Sequence, residues 1–175
     1  KTFNGVIIAR KDSGITSIKD IKGKSFAFGD KFSTIGRFLS QSLLINKGID
    51  ATSLKNFDYL QRHDLVAKAI ITGSHDAGAL KASTYKKLCD PEEIIVVKSF
   101  ENTTKPWLAR ELLPKEVCDA ITASLLELED STIIGELGCS GFTNATPADY
   151  ELVREGMKNA ETFVPKSKET ETESD

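Results

Sequence analysis

The stretch Ser25-Phe-Ala-Phe-Gly-Asp-Lys-Phe-Ser-Thr-Ile-Gly-Arg-Phe-Leu39 constrains this chain more than any other, because it joins an extended segment, a sharp break and a helix start. Ser25 to Phe28 is short and aromatic-rich, as a buried strand is. Gly29-Asp30 breaks it, and from Ile35 the apolar residues Ile35, Phe38, Leu39 and Leu43 recur at helical spacing until Gly48. Ser33 and Thr34 therefore fall at the N-cap region, where free backbone N–H groups and the positive end of the helix dipole point the same way. Two readings of the hydroxyls stand at this point: simple capping of the helix, or added donors at an anion site.

The rest of the chain alternates extended and helical segments. Gly5-Val-Ile-Ile-Ala-Arg10 is a continuous apolar run with a turn after it, and Thr16 to Gly23 holds about one helical turn. Leu54 to Phe57 reads as an edge strand and Arg62 to Thr72 as a helix with Leu65, Val66, Ala69 and Ile70 on one face. Asp76-Ala-Gly-Ala-Leu80 suits a central strand, Ser83 to Leu88 a short helix and Glu93 to Lys98 a β-branched strand. Beyond Pro114 the pattern is helical, with Val117, Ala120, Ile121, Leu125 and Leu128 in one stripe, a short helix over Ser131 to Leu137, and a third helix announced by Thr146-Pro-Ala-Asp149. This order predicts an α/β fold on a mainly parallel sheet. It also predicts a lobe over 11–98 entered and left through two strands, with 1–10 and 99–165 as hinge and part of a second lobe, and 166–175 as a disordered charged tail.

Composition narrows the function. At 175 residues, with 39% hydrophobic residues and a net charge of −3, the chain is an ordinary globular one with no basic stripe for nucleic acid and no polybasic tail for a membrane surface. No apolar run reaches the roughly 20 residues that span a bilayer. The opening residues, Lys1-Thr-Phe-Asn-Gly5, resemble neither a start of translation nor a signal peptide, as in a fragment of a longer chain. Cys89, Cys118 and Cys139 lack C-x-x-C spacing and are expected to be small buried hydrophobes; with only His63 and His75 in the chain, no metal site or cofactor is expected. His75 reads as a solvated loop residue, and Trp107 as core or as a cleft wall.

The residues Asp12-Ser-Gly-Ile-Thr-Ser-Ile-Lys-Asp-Ile-Lys-Gly-Lys-Ser-Phe-Ala-Phe-Gly-Asp30, then Ser33-Thr-Ile-Gly36, His63-Asp-Leu-Val-Ala-Lys-Ala69 and Gly73-Ser-His-Asp-Ala-Gly78 resemble the phosphate/phosphonate-type substrate-binding proteins of ABC importers. The resemblance covers about 5–110 well and the helical remainder loosely. It implies the type 2 periplasmic binding fold, with two lobes joined by hinge strands and one lobe incomplete, since family members carry an N-terminal segment before the position of Lys1. It implies a non-catalytic protein, periplasmic or extracytoplasmic, that captures a small phosphorus oxyanion (phosphonate, phosphite or phosphate) between the lobes and presents it to a membrane permease.

By the same resemblance Ser33, Thr34 and the N–H groups of Ile35 and Gly36 grip the anion, and His63 faces it. Asp76 stands where related proteins pair a substrate ammonium, or is an exposed acid at a strand edge. Two departures matter: Ile35 replaces a third hydroxyl of the family pattern, and Lys31 a proline. A lost hydroxyl removes a donor worth about 1.5–3 kcal/mol toward a charged partner. Three other readings use the same residues or fold: the ligand-sensing module of a membrane signalling receptor, the effector domain of a transcription regulator, and a serine hydrolase with Ser33, His63 and Asp76 as nucleophile, base and orienter. The last lacks a G-x-S-x-G elbow.

Overall fold

The computed structural model describes residues 3–164, so the expected tail over 166–175 lies outside the described residues. Residues up to Thr104 and from Tyr150 onward form one compact unit, and Lys105–Asp149 form a second.

The first unit is built on a five-stranded sheet in the order β3-β2-β4-β1-β5. The strands are β1 (Phe3–Arg10), β2 (Ser25–Phe28), β3 (Asn56–Tyr59), β4 (Ala77–Lys81) and β5 (Ile94–Asn102). β2 runs parallel to both β3 and β4, as alternating strands and helices dictate, whereas β1 is antiparallel to β4 and to β5. The sheet is thus mixed rather than mainly parallel. Antiparallel pairing of β1 and β5 keeps both long β-branched runs adjacent, in register from Phe3–Asn102 to Arg10–Ile94 with an irregularity at Ile7/Ile8.

Both faces of the sheet are covered, which explains why β1 reads as an unbroken apolar run. On one face Ile7, Phe26, Phe28, Leu44, Ile49 and Phe163 form a core; on the other Val6, Ile8, Ala27, Val66, Ile70 and Leu80 do. The alternation of neighbours in β1 and β2 between the two cores is the strand period of two. The expected edge strand and central strand occupy those places, and Gly78 lets α2 (His63–Ile71) approach: a Cβ there would stand 2.8 Å from Val66 Cγ1. α3 (Ala82–Leu88) follows β4 directly.

Phe28 is the centre of an aromatic cluster, with Phe26, Phe57, Tyr59 and Phe163 at ring distances of 4.6 to 5.9 Å. Phe163 follows α6 (Glu151–Ala160), which packs on the helix leaving the Ser33 loop. Gly156 makes that packing possible, because a Cβ would sit 2.5 Å from Leu39 Cδ2, and Asn159 Nδ2 donates to Ser42 Oγ at 3.0 Å.

Two expectations about polar residues are corrected. His75 is buried rather than solvated, its Nε2 3.0 Å from Asp58 Oδ2, because the turn before β4 folds it back on the edge strand. Of the cysteines only Cys89 is buried; Cys118 is half-buried and Cys139 exposed. Both of those lie in the second unit, which holds α4 (Lys115–Leu126) and α5 (Ser131–Glu136) and has no buried residue in either helix. Its apolar stripe is accordingly open, with Val117 and Ile121 exposed, and Trp107 is an exposed ring edge-on to Phe142 rather than core.

Phe28→Ala should cost about 3–5 kcal/mol. Urea unfolding followed by circular dichroism measures it; a loss under 1 kcal/mol would contradict the central place of this ring.

Candidate functional site

The site starts from one glycine. Gly29 directly follows β2, and its N–H donates to Gly36 O at 2.8 Å while its own C=O accepts from Gln61 N at 3.3 Å. One residue thereby holds the loop that precedes the first helix and the loop that leads from β3 into α2. No side chain fits between the chains: a Cβ on Gly36 would lie 2.8 Å from Gly29 Cα, and one on Gly29 3.1 Å from Gly36 Cα. Gln61 takes up the strain of the second loop, with φ of 63° at a non-glycine residue.

Between the two glycines the loop is closed locally. Asp30 Oδ1 accepts from Phe32 N at 2.7 Å, and Ser33 N donates to Asp30 O at 3.0 Å. Ser33 is the N-cap, its Oγ accepting from Gly36 N at 2.9 Å. The helix that follows begins as a wide π turn over Thr34–Leu39, where Arg37 N and Phe38 N both donate to Ser33 O at 3.0 and 3.1 Å, and runs directly into α1 (Ser40–Ile45). The N–H groups of Thr34 and Ile35 stand in the first turn, which has no intrahelical acceptor for them. Such wide turns are often found at functional sites.

His63 opens α2 beside this turn, its ring atoms 3.7 Å from where a Cβ of Gly29 would stand. Its Nδ1 is buried and has no hydrogen-bond partner among the described residues. Burial, and secondarily the charge of Lys81, hold the imidazole below its ordinary pKa, against a weaker opposite pull from Asp64. His63 is therefore a neutral ring near pH 7.

The structure brings together Ser33, Thr34, Ile35, Gly36 and His63. It does not bring Asp76 to them. Asp76 precedes β4 at the end of the sheet where β2 begins, and its Oδ2 accepts from Ser25 N at 2.8 Å and Ser25 Oγ at 2.6 Å. Burial pushes that carboxyl up, but the Ser25 hydrogen bonds and the charges of Lys24 and Lys55 leave it below the usual carboxylate value. Ser25 and Gly29 lie at opposite ends of β2, about 13 Å apart at strand rise. Ser33, His63 and Asp76 thus form no triad. Gly36 N–H is engaged by Ser33 Oγ, which leaves the Thr34 and Ile35 amides and two hydroxyls as the donors on offer. The Ile35 side chain is buried, its Cγ2 2.8 Å from a Cβ position on Gly5, so this residue offers the site its backbone alone.

Sequence reasoning missed the brace behind the loop. Arg37 donates to Lys31 O at 2.7 Å and to Gln41 Oε1 at 3.3 Å; the buried Gln41 in turn donates to Tyr59 Oη at 2.9 Å. The guanidinium also lies over the Phe38 and Tyr59 rings at 4.9 and 5.7 Å. A polar Gln at an inward helix position was the one signal of this network. A cavity of about 200 Å³ on the far side of the same helix, lined by Leu43, Phe100 and Leu152, is separate from these donors.

The profile of the family described as "ABC transporter, phosphonate, periplasmic substrate-binding protein" matches residues 1–150. The chain belongs to this family. Among curated proteins it is 29% identical over 94 residues to the probable ABC transporter phosphite binding protein PhnD1 of Prochlorococcus marinus (strain MIT 9301), covering 49% of this chain and 32% of that one. The chain therefore spans about a third of that relative's length. Among solved structures it resembles PhnD1 of the same organism in complex with methylphosphonate (20% identity, 91% of this chain and 67% of that chain, TM-score 0.75). It likewise resembles XAC2383 of Xanthomonas citri bound to chloride ion (18%, 92% and 66%, TM-score 0.72). The fold is that of type 2 periplasmic binding proteins, of which the chain represents a part.

Two tests follow from the geometry of this family member. Gly36→Ala should break the Gly29–Gly36 closure and lower stability, with hydrogen exchange accelerated at Gly29; unchanged exchange there would refute the closure. A histidine with a depressed folded-state pKa stabilises at pH above its ordinary value of about 6.5 and loses that contribution as pH falls through the folded value. Wild type should therefore lose stability relative to His63→Gln between pH 7.5 and 5, read as the divergence of their melting temperatures. Parallel curves would exclude a depressed pKa.

Proposed function

We propose that the chain is the anion-gripping part of a solute-binding component of an ABC importer, periplasmic or extracytoplasmic, whose ligand is a small phosphorus oxyanion. The observation that carries this reading is the turn Ser33–Gly36, with the Thr34 and Ile35 amides free of intrahelical acceptors and His63 beside it on the same glycine. Two hydroxyls, two amides and a helix N-terminus are the donor set a tetrahedral oxyanion needs. The unpartnered Nδ1 of His63 fits a role toward ligand rather than toward the fold. Phosphonate, phosphite and phosphate all present the required oxygens.

The residues at the site suit static donation. Ser33 Oγ accepts from Gly36 N–H, and His63 Nδ1 has no carboxylate partner among the described residues. The adjacent antiparallel strands β1 and β5 are the proposed hinge of a lobe over 11–98, and closure over the ligand the signal to a permease.

Calorimetry with phosphate, phosphite and methylphosphonate tests this. At least one should bind, and Ser33→Ala should weaken it by about 1.5–3 kcal/mol, roughly 10- to 150-fold. Absence of heat and of thermal stabilisation with all three, or an unaltered Ser33→Ala affinity, would remove the proposal.

A further inference from the structure

A lysine stands at the edge of the proposed anion site. Lys81 is the last residue of β4, at the end of the sheet where Gly29 leaves β2. Its register partner across the sheet is Gly5, the residue against which the Ile35 side chain packs. Paired residues on antiparallel strands are about 5 Å apart at Cα, so Lys81 stands one strand away from the glycine on which Ile35 packs. It shares its sheet face with Ala77 and Ala79 by strand alternation. Its Nζ rests over the Phe3 ring at 5.6 Å, and it is close enough to His63 for its charge to oppose protonation of that ring.

Among the described residues Lys81 has no ion-pair partner. The two acids of the site loops hold local partners, Asp30 the Phe32 amide at 2.7 Å and Asp64 the Arg62 guanidinium at 2.8 Å, and neither forms an ion pair with Lys81 among the described residues. Asp76, the residue that resemblance offers as an ammonium partner, is tied to Ser25, five residues and about 16 Å back along the strand. The remaining charged side chains on the loop, Lys31 and Arg37, are cations as well.

We infer that Lys81 makes this site select phosphonates whose substituent is uncharged or anionic, and reject those that carry an ammonium group. The inference rests on the oxyanion reading above. A cationic substituent beside Lys81 would meet a like charge held over the Phe3 ring, whereas a carboxylate there would gain a partner.

The test is calorimetry of methylphosphonate, phosphonoacetate and 2-aminoethylphosphonate against wild type, Lys81→Met and Lys81→Glu. Wild type should bind the first two at least about tenfold more tightly than the third. Lys81→Met should narrow that gap, weakening phosphonoacetate more than methylphosphonate, and Lys81→Glu should invert the order of phosphonoacetate and 2-aminoethylphosphonate. Lys81→Met alone decides the matter if the glutamate variant does not fold. Methylphosphonate binding with no preference among the three, or a preference unmoved by Lys81→Met, overturns the role of Lys81 and leaves the anion site standing. No binding of any of the three by wild type removes both.

Discussion

The backbone of Gly29 is the constraint on which the site depends. Its N–H and C=O point to two different loops, and each loop delivers one part of the donor set. Both bonds need the chains to approach at backbone distance, and the approach is possible because positions 29 and 36 carry no Cβ. A side chain at either position would separate the strand end from the helix start by the width of a methyl group. The Ser33 loop and the loop leading to His63 would then no longer be held on one residue. The cost of this arrangement is visible at Gln61, which accepts a left-handed conformation so that the β3–α2 connection can reach Gly29.

The sheet separates locking from binding. At the ends where β2 and β4 begin, polar side chains are spent on each other: Asp76 on Ser25, and His75 on Asp58. At the ends where β2, β3 and β4 finish, amides, hydroxyls and His63 are left open. Because these three strands are parallel, their following loops gather at one edge, the edge at which open α/β sheets bind ligands. The antiparallel β1 enters from the other direction and gives this edge Gly5 and Phe3 instead. Gly5 receives Ile35 and pairs with Lys81, so the strand that makes the sheet mixed also packs against the helix start.

Much of this was legible in the chain. The break at Gly29, the cap at Ser33, the helix opening at His63 and the small residues of the central strand each depend on local chemistry, and each was found where local chemistry put it. Residues whose role depends on distant partners were misjudged. His75 sits between glycine and acid in a turn, a solvated context by any local measure, yet the fold lays it against Asp58 of the edge strand. The apolar stripe of α4 has ordinary core spacing, but burial needs an opposing surface, and within the second unit none covers it. Asp76, which the family resemblance offered as an ammonium partner or an exposed strand-edge acid, instead binds Ser25, a partner that no local pattern shows.

The sequence by itself determined the alternation of strands and helices, the anion-ready helix start and the family to which they belong, because hydrophobic period, glycine and capping hydroxyls act over a few residues. Tertiary structure alone decided which polar groups stayed available. Ser25 lies some fifty positions from Asp76, and Gly5 some thirty from Ile35 and seventy-six from Lys81. Hydrogen bonding and close packing between such positions leave no local pattern. The pairing of parallel strands sent Asp76 to the far end of the sheet, and the absent Cβ of Gly5 drew Ile35 inward. The Ser33 turn was left with two hydroxyls and two amides, and His63 with a buried Nδ1 that has no partner among the described residues.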